Sequence, residues 1–184
     1  IEGLAVLDQN YELTWINLDG SVSDPVDPAQ ELTSAGIMPP GIMVGLFSAM
    51  AVDRDNIVYV DMPTFGLARI TGLDRSSPEV DWLRIMDIPG SSRTVVDLDY
   101  SAGEHALYSY QPGAGVIQRI DLTTGTEETT ASSSDLLRGG DPDFYARIFA
   151  APDASIYFAN YNLGVLGRIN PEGHAARYSS PAYD

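Results

Sequence analysis

Apolar positions in this chain come in short runs, each cut off by Gly, Pro, Asn or Asp before a helical pattern develops. Ile57-Val-Tyr-Val60, Ala106-Leu-Tyr-Ser109 and Ile156-Tyr-Phe-Ala159 are typical. Runs of this length, rich in β-branched and aromatic residues and bounded by turn formers, predict strands. A 3.6-residue period sustained over about ten residues is missing. Helix is therefore expected only in the longer connections, around residues 28–35 or 133–138.

The runs repeat. Gly66, Gly115 and Gly164 recur at intervals of 49 residues, and so do Tyr59, Tyr108 and Tyr157. Arg69, Arg119 and Arg168 follow those tyrosines by ten or eleven residues. Each repeat opens with a small and apolar run (47–52, 94–98, 145–150) and a polar turn. The tyrosine strand, a Pro/Gly/Asn loop, the glycine-led strand, a second turn and a more polar strand complete it. Asp121-Leu-Thr-Thr-Gly125 and Asn170-Pro-Glu-Gly173 carry hairpin chemistry at the second turn. Four short strands per repeat, joined by hairpin-length turns, predict an all-β fold of β-propeller blades.

Three blades are expected, over residues 43–90, 91–140 and 141–184. Gly3-Leu-Ala-Val-Leu7 and Tyr11–Leu18 match a third and fourth strand, so residues 1–20 read as the outer half of another blade. Gly3 and Gly66 are 63 residues apart, an excess of about 14 over the repeat, which falls in an inserted, loop-like stretch at 21–42. Three and a half blades suit part of a six- or seven-bladed ring. An open arc leaves apolar faces at its ends, to be covered by further sequence or by a second copy.

Charge narrows the partners. All ten basic residues are Arg, against 26 acids, for a net charge of −16. Such a surface repels nucleic acid and anionic membranes, and no apolar run is long enough to span a bilayer. The Lys-free, Asp-rich composition resembles that of salt-adapted proteins, while a GC-rich genome gives the same bias. The absence of Cys excludes disulfides and Cys-ligated zinc. An extracellular or cell-surface location is expected, with the cytoplasm of a salt-accumulating cell as the alternative.

Ile148-Phe-Ala-Ala-Pro-Asp-Ala-Ser-Ile-Tyr-Phe-Ala-Asn160 with Gly164-Val-Leu-Gly-Arg-Ile-Asn-Pro-Glu-Gly173, and Met50-Ala-Val-Asp-Arg-Asp-Asn-Ile-Val-Tyr-Val-Asp61, resemble the repeats of NHL and streptogramin (virginiamycin B) lyase propellers. The resemblance spans about residues 44–180. It implies the propeller fold and, in one branch, a metal-assisted lyase using a histidine and acidic residues. In the gluconolactonase-like branch it implies a divalent metal held by Glu, Asn and Asp. Here the inner-strand runs read Phe47-Ser-Ala-Met50, Thr94-Val-Val-Asp97 and Ala146-Arg-Ile-Phe149 instead of the Glu-Gly-Pro and Asn-Gly openings of that branch. His105 and His174 fall in turns and read as solvated.

Among single residues, Asp97 and Asp99 flank Leu98 and should face the same way. They are the candidates for a divalent cation (Ca or Mg) or a shared proton, against capping of the turn that follows. No other cofactor is called for. Asp53, Asp55, Asp141 and Asp143 read as turn punctuation. A scaffold feature recurs whereas a site is singular, so the repeated tyrosines and arginines read as packing and ion-pairing groups. The loops after the second strands differ between blades. Asp61, Phe65, Tyr110, Gln111, Asn160, Tyr161 and Asn162 there are the candidates for binding a protein, glycan or small ligand. A non-catalytic binding module is the favoured reading. A segment of a metal-dependent lyase or lactonase is the alternative.

Overall fold

The computed structural model describes residues 3–8, 12–38, 49–62, 66–75, 78–85, 95, 97–111, 115–132, 146–160 and 164–179. The chain divides into two compact units, Ile1–Ser91 and Ser92–Asp184.

The first unit opens with a hairpin of β1 (Gly3–Leu7) and β2 (Leu13–Asn17). A four-stranded antiparallel sheet follows, in chain order: β3 (Met50–Val52), β4 (Val58–Met62), β5 (Gly66–Thr71) and β6 (Glu79–Ile85). Alternation along the strands assigns the faces. Ala5, Leu13 and Trp15 lie on one face of the hairpin and pack with Val58, Val60, Met62, Ala68 and Ile70 of the sheet. Trp15 is wholly buried, and its Nε1 donates to Asn17 Oδ1 at 3.0 Å. Gly3 sits where a Cβ would lie 2.4 Å from that indole nitrogen, so only glycine fits.

The stretch expected as an inserted loop is structured as far as residue 38. Leu13 and Val26 exchange backbone bonds of 2.7 and 2.8 Å, and Ser23 N donates to Trp15 O at 2.8 Å. Residues 21–26 thus extend the outer edge of β2. Asp27 then caps α1 (Pro28–Ser34), accepting from Ala29 and Gln30 N–H groups at 2.9 and 3.1 Å, with proline in the first turn where its missing donor costs nothing. Leu32 and Met38 join the core of the unit. Burial of these two apolar side chains is what the Asp/Pro/Ser composition of the stretch conceals.

The second unit holds two four-stranded antiparallel sheets, again in chain order. One comprises β7 (Asp97–Ser101), β8 (Ala106–Gln111), β9 (Val116–Asp121) and β10 (Glu127–Ser132). The other comprises β11 (Ala146–Ala150), β12 (Ile156–Asn160), β13 (Val165–Ile169) and β14 (Ala175–Ser179). Tyr108, Tyr110, Ile117 and Ala131 of the first pack on Ala146, Ile148, Ala150, Ile156 and Phe158 of the second. The Tyr110 and Phe158 rings meet edge to face at 5.2 Å. Gly103 allows the β7–β8 turn to press on the β11–β12 turn, since a Cβ there would lie 2.5 Å from Pro152 O.

The three four-stranded sheets are one design. Tyr59, Tyr108 and Tyr157 stand opposite Arg69, Arg119 and Arg168 in register. Asn56, His105 and Ala154 take φ of 62°, 49° and 63° at the same point of each first turn, the left-handed conformation spaced with the repeat. The all-β expectation of four-stranded antiparallel sheets is met.

Candidate functional site

The recurring polar groups are consumed by the sheets. Arg69 pairs with Asp81 on the adjacent strand, Nε to Oδ1 at 3.0 Å. Arg119 lies among Glu104, Asp121 and Glu128 at 3.7, 3.5 and 3.4 Å. Arg168 donates to Ser155 Oγ at 2.8 Å, meets Asp153 at 3.4 Å and lies over the Tyr157 ring. The arginines therefore meet acids of their own sheet, as the repeat implies. The Tyr59 hydroxyl donates to buried Asp53 at 3.0 Å, while Tyr108 donates to Glu104. Burial and the adjacent Glu104 carboxylate push the Tyr108 pKa up, so it stays a donor. Asp53 also accepts from the Asp55 and Ile57 N–H groups at 2.8 and 3.0 Å, which makes it the clamp of its turn.

Asp97 and Asp99 do face the same way, but toward protein. Asp97 Oδ2 accepts the Ile148 N–H at 2.7 Å, and Asp99 Oδ2 accepts the Ala150 N–H at 2.7 Å. Both donors belong to β11, which pairs with β12 along one edge. The two carboxylates thus cap backbone donors on its other edge, 51 residues away in sequence. Asp99 Oδ1 also accepts the N–H of Tyr100 at 2.9 Å. Burial pushes both pKa values up, opposed for Asp97 by the Ile148 bond and then Arg147, and for Asp99 by the bonds from Ala150 and Tyr100. Each of these bonds uses one acceptor site of its carboxylate. Among the described residues no three His, Asp or Glu side chains cluster as a metal site.

The candidate ligand residues divide. Asp61, Tyr110, Gln111 and Asn160 lie at the ends of their strands with at most 8% of their surface exposed. Gln111 donates to Ser109 Oγ at 3.3 Å and to Gln118. Phe65, Tyr161 and Asn162 lie outside the described residues, as do Asp141 and Asp143. His174 is exposed, whereas His105 is half-buried with Nδ1 3.2 Å from the Tyr100 hydroxyl. The left-handed φ of His105 explains a polar residue at that turn.

Composition gave no sign of a cleft in the first unit. It has a volume of about 310 Å³, between the end of β2 (Asn17) with the strand-like insertion (Ser23, Asp24) and the β5–β6 turn (Asp74, Arg75), with Val22, Leu73 and Pro78 as its apolar wall. Asp74 accepts from Asn56 Nδ2 at 3.2 Å. The insertion that borders the cleft occurs once in the sequence. The 63-residue gap between Gly3 and Gly66 was the one available signal.

No known family profile and no curated protein sequence matches this chain. Solved structures do. Virginiamycin B lyase from Staphylococcus aureus is similar with a TM-score of 0.61 at 14% identity, over 96% of this chain and 55% of that one. The RRP9 WD40 repeats give 0.64 at 13%, over 97% and 48%. An auxiliary nutrient binding protein from Bacteroides thetaiotaomicron VPI-5482 gives 0.61 at 10%, over 96% and 38%. The chain spans about half the length of the first two. With the repeated sheets, these likenesses define a β-propeller fold.

Proposed function

We propose that the chain is a non-catalytic propeller module that binds a glycan, peptide or small polar ligand through its non-repeating connections. The observation that carries this reading is the engagement of Asp97 and Asp99 by the β11 backbone. Asp97 and Asp99, the sequence candidates for a cation, each accept a backbone N–H of the neighbouring sheet. What does not repeat is the insertion with its cleft, and the loops that carry Phe65, Tyr161 and Asn162. A cleft of this volume with an apolar wall and a few carboxylate, amide and guanidinium groups suits a small polar ligand. The nutrient binding protein and WD40 likenesses agree with such a role. The acidic surface fits an extracellular or cell-surface setting, or a salt-rich cytoplasm.

The likeness to virginiamycin B lyase favours one other reading, a segment of a metal-dependent lyase or lactonase with its catalytic residues elsewhere. Screening the purified intact protein, with whatever polypeptide adjoins this segment, against glycan and peptide arrays, with calorimetry of the hits, separates the two. The module predicts a bound ligand whose affinity falls about tenfold, roughly 1.4 kcal/mol, in Phe65→Ala or Tyr161→Ala at unchanged melting temperature. Stoichiometric divalent metal retained through dialysis, with lactone hydrolysis or lyase turnover, would overturn it.

A further inference from the structure

The polar groups around the cleft of the first unit divide into those already engaged and those left over. Asn17 is engaged: its Oδ1 accepts the Trp15 Nε1–H at 3.0 Å, and its Nδ2 donates to Ser21 Oγ at 2.9 Å. Ser23 is engaged as well, its Oγ accepting the Trp15 N–H at 2.9 Å and donating to Asp24 O at 3.0 Å. These two serve as wall. Two carboxylates, Asp24 and Asp74, and the Arg75 guanidinium remain.

The carboxylates come from different elements. Asp24 is exposed on the strand-like insertion, and among the described residues no side chain pairs with its carboxylate. Asp74 lies in the β5–β6 turn with only 19% of its side chain exposed. Asn56 Nδ2 donates to Asp74 Oδ2 at 3.2 Å, which fixes that oxygen and leaves Oδ1. Oδ1 is 3.8 Å from Arg75 Nε, beyond hydrogen-bond length, and the Arg75 side chain is 81% exposed. The arginine is a loose, solvated partner. Beside these charges Val22, Leu73 and Pro78 form an apolar wall, and none of the described lining residues is aromatic.

This lining narrows the ligand. An anion would meet two carboxylates in a chain of net charge −16. A sugar ring would find no aromatic face to stack on. A ligand that donates to carboxylates at one end and lays methylenes along the apolar wall matches both halves of the lining. We propose that the cleft binds a primary ammonium on an aliphatic stem, a peptide lysine or a free alkylamine, with Asp74 and Asp24 receiving the ammonium. Such binding is one form of the module role proposed above, and rests on it. The sequence holds no lysine, so its own side chains do not offer the group.

Calorimetry on the intact protein at about 0.05 M salt, with n-butylamine and Nα-acetyl-lysine methylamide as probes and the norleucine analogue as neutral control, tests this. Both amines should bind and the norleucine analogue should not. Asp74→Asn, which keeps an acceptor for Asn56, should weaken binding about tenfold, and Asp24→Asn at the exposed site about threefold. Arg75→Ala should tighten binding, because a competing cation is gone. Melting curves confirm that the variants are folded. Equal affinity for the two amines assigns the site to a free alkylamine, and tighter binding of the lysine amide assigns it to a peptide. Absence of amine binding at millimolar concentration, equal binding of the norleucine analogue, or indifference to Asp74→Asn would overturn the proposal. Loss of binding in Arg75→Ala would overturn it in favour of an anionic group. An array ligand lost in Phe65→Ala but retained in Asp74→Asn would leave the module standing without this site, whereas silence of arrays and amines alike would end both.

Discussion

Asp97 and Asp99 show how one side-chain type serves opposite purposes according to its surroundings. Both lose solvation, which raises their pKa, and both recover part of the loss by accepting a backbone N–H. An asparagine keeps an acceptor oxygen at the same place without a charge to desolvate. Asp97→Asn/Asp99→Asn should therefore melt above the wild type at pH 7. The sign with pH follows from linkage. A carboxyl with a raised folded pKa binds its proton more readily folded than unfolded, so its titration adds stability as pH falls through the raised value. The gain stops below the ordinary 3.8, where both states are protonated. The wild type should thus close its gap with the variant between pH 7 and pH 4, as melting curves of the two at each pH will show. Asp121 and Asp153, held low chiefly by N–H donors of their own turns, act in the opposite direction. Both are present in both proteins, so their effect cancels in the comparison.

At the scale of elements, much was written in the sequence and some was not. Strands and turns were legible because the Tyr, Gly and Arg markers keep one period, and the left-handed turn residues Asn56, His105 and Ala154 keep it too. A helix around residues 28–35 was expected, and α1 starts at Pro28 with Asp27 as its cap. Asp27→Ala should cost about 1 kcal/mol, read as a lowered denaturant midpoint, because two N–H groups lose their acceptor. The edge pairing of residues 21–26 with β2 was hidden. It is a backbone contact, made by Ser23 and Val26 on either side of Pro25, and Ser23, Asp24 and Pro25 read as loop. The role of Asp97 and Asp99 was hidden for another reason. Their partners are 51 residues away and are main-chain amides, which leave no trace in residue type. Sequence spacing placed the two carboxylates on one face correctly and left the occupant of that face open.

For the whole molecule, the division between what recurs and what does not organises both fold and function. Recurrent tyrosines, arginines and acids build sheets, and the sheets of the second unit are joined by a carboxylate clasp. The non-recurrent insertion and loops are the parts we propose for recognition. The claim most exposed to test is that the clasp is structural. Amide hydrogen exchange read residue by residue at Ile148 and Ala150, in the wild type and in Asp97→Leu/Asp99→Leu, addresses it directly. Loss of protection focused on those two amides is the predicted result. Unchanged protection there, with loss of a bound divalent ion from the variant instead, would contradict it and return the pair to the chemistry of a metal site.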